Sequence, residues 1–178
     1  DFYAYQYKPV ISLLGSPSNG LLIADEVGLG KTIEAGLIWT ELRARFDASR
    51  LLIICPAMLR EKWQSEMSKR FGVEAKIADA NELVTHLKQP RSRTRDGEGL
   101  ICSLQGIRPP NAWREGEYGR SGPQQDLARL LDMKMEEEPL YELIIIYESH
   151  YLRKPESQAC KVGLLRSDEP AKIVQLSA

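Results

Sequence analysis

The chain has no hydrophobic run long enough to cross a bilayer, which takes about 20 apolar residues in a helix. Its opening residues do not have the layout of a signal peptide. Internal repeats and low-complexity tracts are also missing. Cysteine is scarce: Cys55, Cys102 and Cys160 are widely spaced, odd in number and in no zinc-ligand pattern, so a reducing, intracellular compartment is expected. Cys55 and Cys102 fall in apolar, strand-like runs and read as buried, inert thiols. No charge sign dominates. The 24 Lys and Arg residues against 25 Asp and Glu give a net charge of −1, so any nucleic-acid contact must rest on local patches.

What is present is a chain of 178 residues with 43% hydrophobic and 28% charged residues, enough for one domain with a full core. It begins at Asp1 without a Met and stops at Ala178 just after an apolar run, so it is expected to be a fragment of a longer polypeptide. Short apolar runs alternate with helical patterns, which predicts an α/β fold: a three-layer αβα sandwich around a mostly parallel sheet. The predicted strands are Leu21–Ala24, Leu51–Cys55, Ala75–Ile77, Leu100–Ser103, Leu143–Ile146 and Ile173–Leu176. Predicted helices cover Thr32–Phe46, Leu59–Arg70, Asn81–Gln89 and Gln124–Glu137, the last with Leu127, Leu130, Leu131 and Met135 on one core-facing stripe. Arg91, Arg93 and Arg95 lie in a polar, basic loop with two readings, a contact to a phosphate backbone and, more commonly for such runs, a solvated loop; a long Pro- and Gly-rich loop runs from Arg108 to Pro123. Trp39 is expected in the core and Trp63 on a helix face capping the sheet.

The informative stretch is Asp25-Glu26-Val27-Gly28-Leu29-Gly30-Lys31-Thr32, set between the first apolar run and a helical pattern. Strand, Gly-rich turn, Lys-Thr and helix is the order of a nucleotide triphosphatase phosphate loop. In such a loop, turn amides and the positive helix end converge on one anion position. Gly28 and Gly30 admit the close approach, Lys31 reaches the outer phosphates and the Thr32 hydroxyl holds Mg²⁺. Asp25 stands where the general pattern begins with Gly. A triphosphatase also needs a carboxylate near Mg²⁺ and a group that orients the attacking water, expected at the tip of a second buried strand beside the first. The run Leu143–Ile146, followed by Tyr147-Glu148-Ser149-His150, is the candidate.

With these residues in place the chain resembles the first RecA-like lobe of a Swi/Snf-type ATPase, a branch of the superfamily-two helicases, and within it the bacterial RapA-like members. In that family Asp25 is the usual residue at its position. Tyr5-Gln6 resembles the glutamine motif, placed just before the first strand. Ile54-Cys55-Pro56-Ala57 with Trp63, Leu100–Leu104, Tyr147–Lys154 and Leu176-Ser177-Ala178 resemble later family motifs in order. The resemblance implies a RecA-like lobe that uses ATP and Mg²⁺. It implies that Gln6 reads adenine, that residues 25 to 32 bind the phosphates, and that Glu148 is the general base or positions water. By the same resemblance, Ser103 contacts the nucleic-acid backbone, and His150 and Ser177 couple the ATP site to the nucleic acid and to the other lobe. The implied partners are double-stranded DNA, a second RecA-like lobe of the same chain, and RNA polymerase or another protein cargo, in a bacterial cytoplasm.

One position departs from the family. Its metal-associated Asp is Tyr147 here. Mg²⁺ favours charged oxygen ligands, whereas a phenol with a pKa of about 10 is neutral at pH 7, so impaired hydrolysis is expected. The Tyr is native and marks an inactive lobe, or it is introduced, or Asp25 or Glu26 substitutes for the missing carboxylate; the residues leave these three open. Two other functional classes compete with the motor: a nucleotide-binding docking or regulatory module, and an unrelated phosphate-loop enzyme such as a kinase or a transport ATPase.

Overall fold

The computed structural model describes residues 3–16, 20–24, 30–90, 97–108, 122–133, 140–147 and 172–176. A 3₁₀ turn, Ala4–Tyr7, leads into α1 (Lys8–Gly15). There follow β1 (Gly20–Ile23), α2 (Lys31–Phe46), β2 (Arg50–Cys55), a second 3₁₀ turn (Ala57–Leu59), α3 (Arg60–Phe71), β3 (Ala75–Ile77) and α4 (Ala80–Lys88). The chain continues through β4 (Glu98–Ser103), α5 (Leu104–Ile107), α6 (Pro123–Met133), β5 (Leu143–Tyr147) and β6 (Lys172–Leu176). The six strands form one sheet in the order β1-β6-β5-β2-β4-β3, and every pairing is parallel.

The apolar runs become strands because the sheet is covered on both faces. All six residues of β2 are buried, and a strand buried on both sides reads as a continuous hydrophobic run. Leu51, Ile53 and Cys55 point into one core, together with α1, α2 and α3; Leu52 and Ile54 point into the other, with α4, α5 and α6. The split follows the chain path. From β1 the chain steps outward to β2 and β3 through α2 and α3, then returns through β4, β5 and β6. Right-handed crossovers place helices of opposite steps on opposite faces. Local signals fix helix ends: Asp79 Oδ1 accepts from Glu82 N (2.9 Å) while Glu82 Oε2 accepts from Asp79 N (3.1 Å), a capping box that starts α4.

The six predicted strands and four predicted helices are all present, with ends shifted by a residue or two where both ends are described. The tail of the last helix, with Met135, lies outside the described residues, as do Arg91, Arg93, Arg95, Trp113 and Cys160. Two expectations are corrected. The strand ending in Tyr147 is not beside β1, because β6 lies between them; the last strand of the return path fills that place. Gln6 does not immediately precede the first strand either, because α1 intervenes. Its Val10 and Leu13 are buried, and Pro9 is tolerated in the first turn.

Candidate nucleotide site

The site is built at the carboxyl ends of the strands, where open α/β sheets bind their ligands. Gly30 caps α2 with φ +92° and ψ 28°, a left-handed conformation that glycine adopts without penalty. Its carbonyl accepts from Ile33 N (2.7 Å) and Glu34 N (3.1 Å), closing the first helical turn. Lys31, the first helical residue, is buried. The 16-residue α2 therefore presents its positive end beside Lys31 and Thr32, an arrangement that stabilises an anion.

Gln6 closes the other side of this cradle. It is only 2% exposed. Its Oε1 accepts from Tyr3 N at 2.9 Å, and its Nε2 lies against Gly30, where an added Cβ would sit 2.7 Å away. The structure thus brings Gln6, Gly30, Lys31 and Thr32 together, although α1 and β1 separate Gln6 from the others in sequence. Glu34, in the same first turn of α2, is a buried acid that sequence reasoning passed over. Its signal was a carboxylate in the first turn of a helix that presents its N-terminus to the site.

Tyr147 ends β5, and Ile23 of β1, Leu176 of β6 and Tyr147 share one row of the parallel register. With a strand spacing of about 4.8 Å, the tips of β1 and β5 stand roughly 10 Å apart. The half-buried Tyr147 ring packs edge-on to the buried Trp63 of α3, with centroids 6.3 Å apart and planes at 77°. Aromatic pairs of this geometry contribute about 0.5–1.5 kcal/mol beyond their buried area. Trp63 does cap a sheet face as expected, and Trp39 is fully buried in the same core. The link from Trp63 to Tyr147 had no sequence signal.

Ser103, expected to contact nucleic acid, is buried, and its Oγ accepts from Gly106 N (3.1 Å) as the cap of α5. Asp25, Glu26, Val27, Gly28, Leu29, Glu148, His150 and Ser177 lie outside the described residues. At Gly30 an added Cβ would meet Gln6 Nε2, so the turn is closely packed there, and the positive end of α2 beside it favours an anion such as a phosphate group. For Mg²⁺ the donor set is less complete. Thr32 offers a hydroxyl and Tyr147 a phenol, and among the described residues no cluster of three His, Cys, Asp or Glu could hold a metal. Burial pushes the Cys55 thiol up to about 12, against a smaller opposing pull from Arg60, so it stays protonated and unreactive at neutral pH.

A parallel sheet sandwiched by helices, with a glycine-capped helix and a lysine at its tip, defines a RecA-like nucleotide-binding lobe. More narrowly, the chain belongs to the SNF2-related domain family, whose pattern matches residues 5–170, and it is the first lobe of a helicase-like ATPase of that type. It is 39% identical over 88 residues to the RNA polymerase-associated protein RapA of Photobacterium profundum, a match covering 49% of this chain and 9% of that protein. Its fold is similar to the SWI2/SNF2 ATPase core of Sulfolobus solfataricus, solved in complex with dsDNA: TM-score 0.61, 19% identity, 99% of this chain and 32% of that one. It is also similar to the Hef helicase domain of Pyrococcus furiosus: TM-score 0.58, 15% identity, 98% of this chain and 32% of that one. The chain thus spans about a third of each solved relative and less than a tenth of the curated one.

Proposed function

We propose that residues 1–178 form the single ATP-binding lobe of a longer, two-lobe motor that translocates on double-stranded DNA. The reading rests above all on the Gly30 cradle, sealed by Gln6 at the head of α2, in a chain of the SNF2-related family. Residues 25 to 32 hold the phosphates, with Lys31 on the outer ones. Thr32 ligates Mg²⁺, and Gln6 sits at the adenine edge. Glu148 orients the attacking water, while His150, Ser103 and Ser177 carry the coupling to nucleic acid and to the second lobe. An arginine from that lobe completes charge stabilisation on the transferring phosphoryl group, so the isolated lobe binds nucleotide and turns it over very slowly. RNA polymerase is the first protein partner to test, given the RapA relative, in a bacterial cytoplasm.

Tyr147 favours a second reading, a lobe that binds nucleotide but serves as a docking or regulatory module. Its ring, held by Trp63, supplies no charge where the metal needs one. A titration of ATP with and without Mg²⁺ separates the readings, since the docking module binds equally well in both conditions. In the two-lobe protein, Tyr147→Asp should raise DNA-stimulated ATP turnover by orders of magnitude. Unchanged turnover removes the metal role assigned to position 147.

A further inference from the structure

We infer that the amino-terminal margin of the sheet, the end away from the Gly30 cradle, binds an internal water molecule that joins Arg50, His86, Glu98 and Tyr141. These residues come from four places in the chain. Arg50 opens β2, Glu98 opens β4, Tyr141 stands just before β5, and His86 lies in the last turn of α4. Arg50 and Tyr141 are 3% and 0% exposed. Yet Arg50 Nε, His86 Nε2 and Tyr141 Oη are buried and have no hydrogen-bond partner among the described residues. None of the three can simply swing out to solvent. Arg50 is tethered by Nη2, which donates to the Gln89 carbonyl (3.1 Å). The Tyr141 and His86 rings stack on each other, with centroids 5.9 Å apart and planes at 14°. Native interiors rarely leave such atoms unpaired, and internal water is the usual partner where protein supplies none.

Geometry and charge select the occupant. Glu98 Oε2 lies 3.8 Å from Arg50 Nε and 3.7 Å from His86 Nε2, roughly 0.8 Å beyond a direct hydrogen bond. A water set to one side of these lines spans both gaps with bonds of ordinary length. Its valence matches what surrounds it: it accepts from Arg50 Nε–H and Tyr141 O–H, and donates to Glu98 Oε2 and His86 Nε2. That match needs a protonated Tyr141 and a neutral His86. Burial, above all other causes, raises the Tyr141 hydroxyl far above its ordinary value and lowers the His86 imidazole below its own, so both conditions hold at pH 7. An ion does not fit. The charges of Arg50 and Glu98 offset each other, an anion would face the Glu98 carboxylate, and a cation would face the Arg50 guanidinium.

The site shares no residue with the nucleotide cradle, so a lobe that fails to bind ATP leaves the inference standing. Two measurements on the 178-residue chain test it. Tyr141→Phe keeps the ring and removes only the hydroxyl. With the water bound, that hydroxyl is a working partner and the urea midpoint should fall; removing an unpartnered buried hydroxyl would leave the midpoint unchanged or raise it. The second measurement follows the Arg50 Nε–H proton of the unsubstituted chain by nuclear magnetic resonance. It should show a dipolar contact to a long-lived water, with the sign of contacts inside the protein; laboratory- and rotating-frame spectra together separate that contact from proton exchange. A midpoint that holds or rises in Tyr141→Phe overturns the inference. So does an Arg50 Nε–H proton whose contacts are all to protein protons, which would assign the missing partner to a side chain.

Discussion

Replacing Gly30 by Ala tests the contact on which the nucleotide cradle is built. Two penalties are separable. An L-residue held at φ +92° gives up about 1–2 kcal/mol for the left-handed backbone. The new Cβ would also sit 2.7 Å from Gln6 Nε2, and Gln6 cannot swing away freely, because it is buried and its Oε1 is held by Tyr3 N. Moving it breaks that hydrogen bond and strands a buried amide, about 1–2 kcal/mol more. Gly30→Ala should therefore destabilise the lobe by about 2–4 kcal/mol. In a Gln6→Ala background only the backbone share remains, so the double-mutant cycle should show a coupling of about 1–2 kcal/mol. Urea midpoints of the four proteins measure it, provided the slope is unchanged. Additivity within about 0.5 kcal/mol would refute the packing of Gln6 on Gly30. ATP affinity should fall in Gly30→Ala and stay low in the double variant, since Gln6→Ala restores room but not the cradle.

Gly36→Ala on α2 should also destabilise, because the added Cβ overlaps the Phe71 ring; overpacking of about 1–3 kcal/mol outweighs a helix-propensity gain of about 1 kcal/mol, and Phe71→Leu in the same chain should recover most of the loss in urea midpoint. Burial, aided by Arg50 and opposed by Glu98, holds the His86 imidazole below 6.5. The unfolded chain therefore takes up the proton first, and the stability linked to neutral His86 is whole above about pH 6.5 and declines below it by at most about 1.4 kcal/mol per pH unit. His86→Phe, which keeps a ring against Tyr141, should flatten the difference between urea midpoints at pH 7.5 and 5.5. In a Cys160→Ser chain at pH 8, Cys55 and Cys102, both buried, should react with a thiol reagent only at the rate of unfolding; fast labelling of either in the native protein would contradict their burial.

The strands were legible because β2, β4 and β5 are buried on both faces, and such strands announce themselves as unbroken apolar runs. Helix α1 was missed because it has eight residues, opens beside Pro9 and buries only Val10 and Leu13, too few positions for a periodic signal. The four-residue α5 offers even less. Strand order was hidden, since nothing local in Lys172–Leu176 says that it inserts between β1 and β5. At the site, Gly30-Lys31-Thr32 could be read because turn chemistry and helix start are neighbours in sequence. The seals at Gln6 and Trp63 are long-range contacts, set by how the Ala4–Tyr7 turn and α3 pack rather than by any local pattern.

Strand β2 gives alternate side chains to each of the two cores, so its backbone is a party wall between them. Neither leaf can slide over the other without dragging that wall along. A cavity cut on one side of β2 would therefore be felt on the other through the shared backbone.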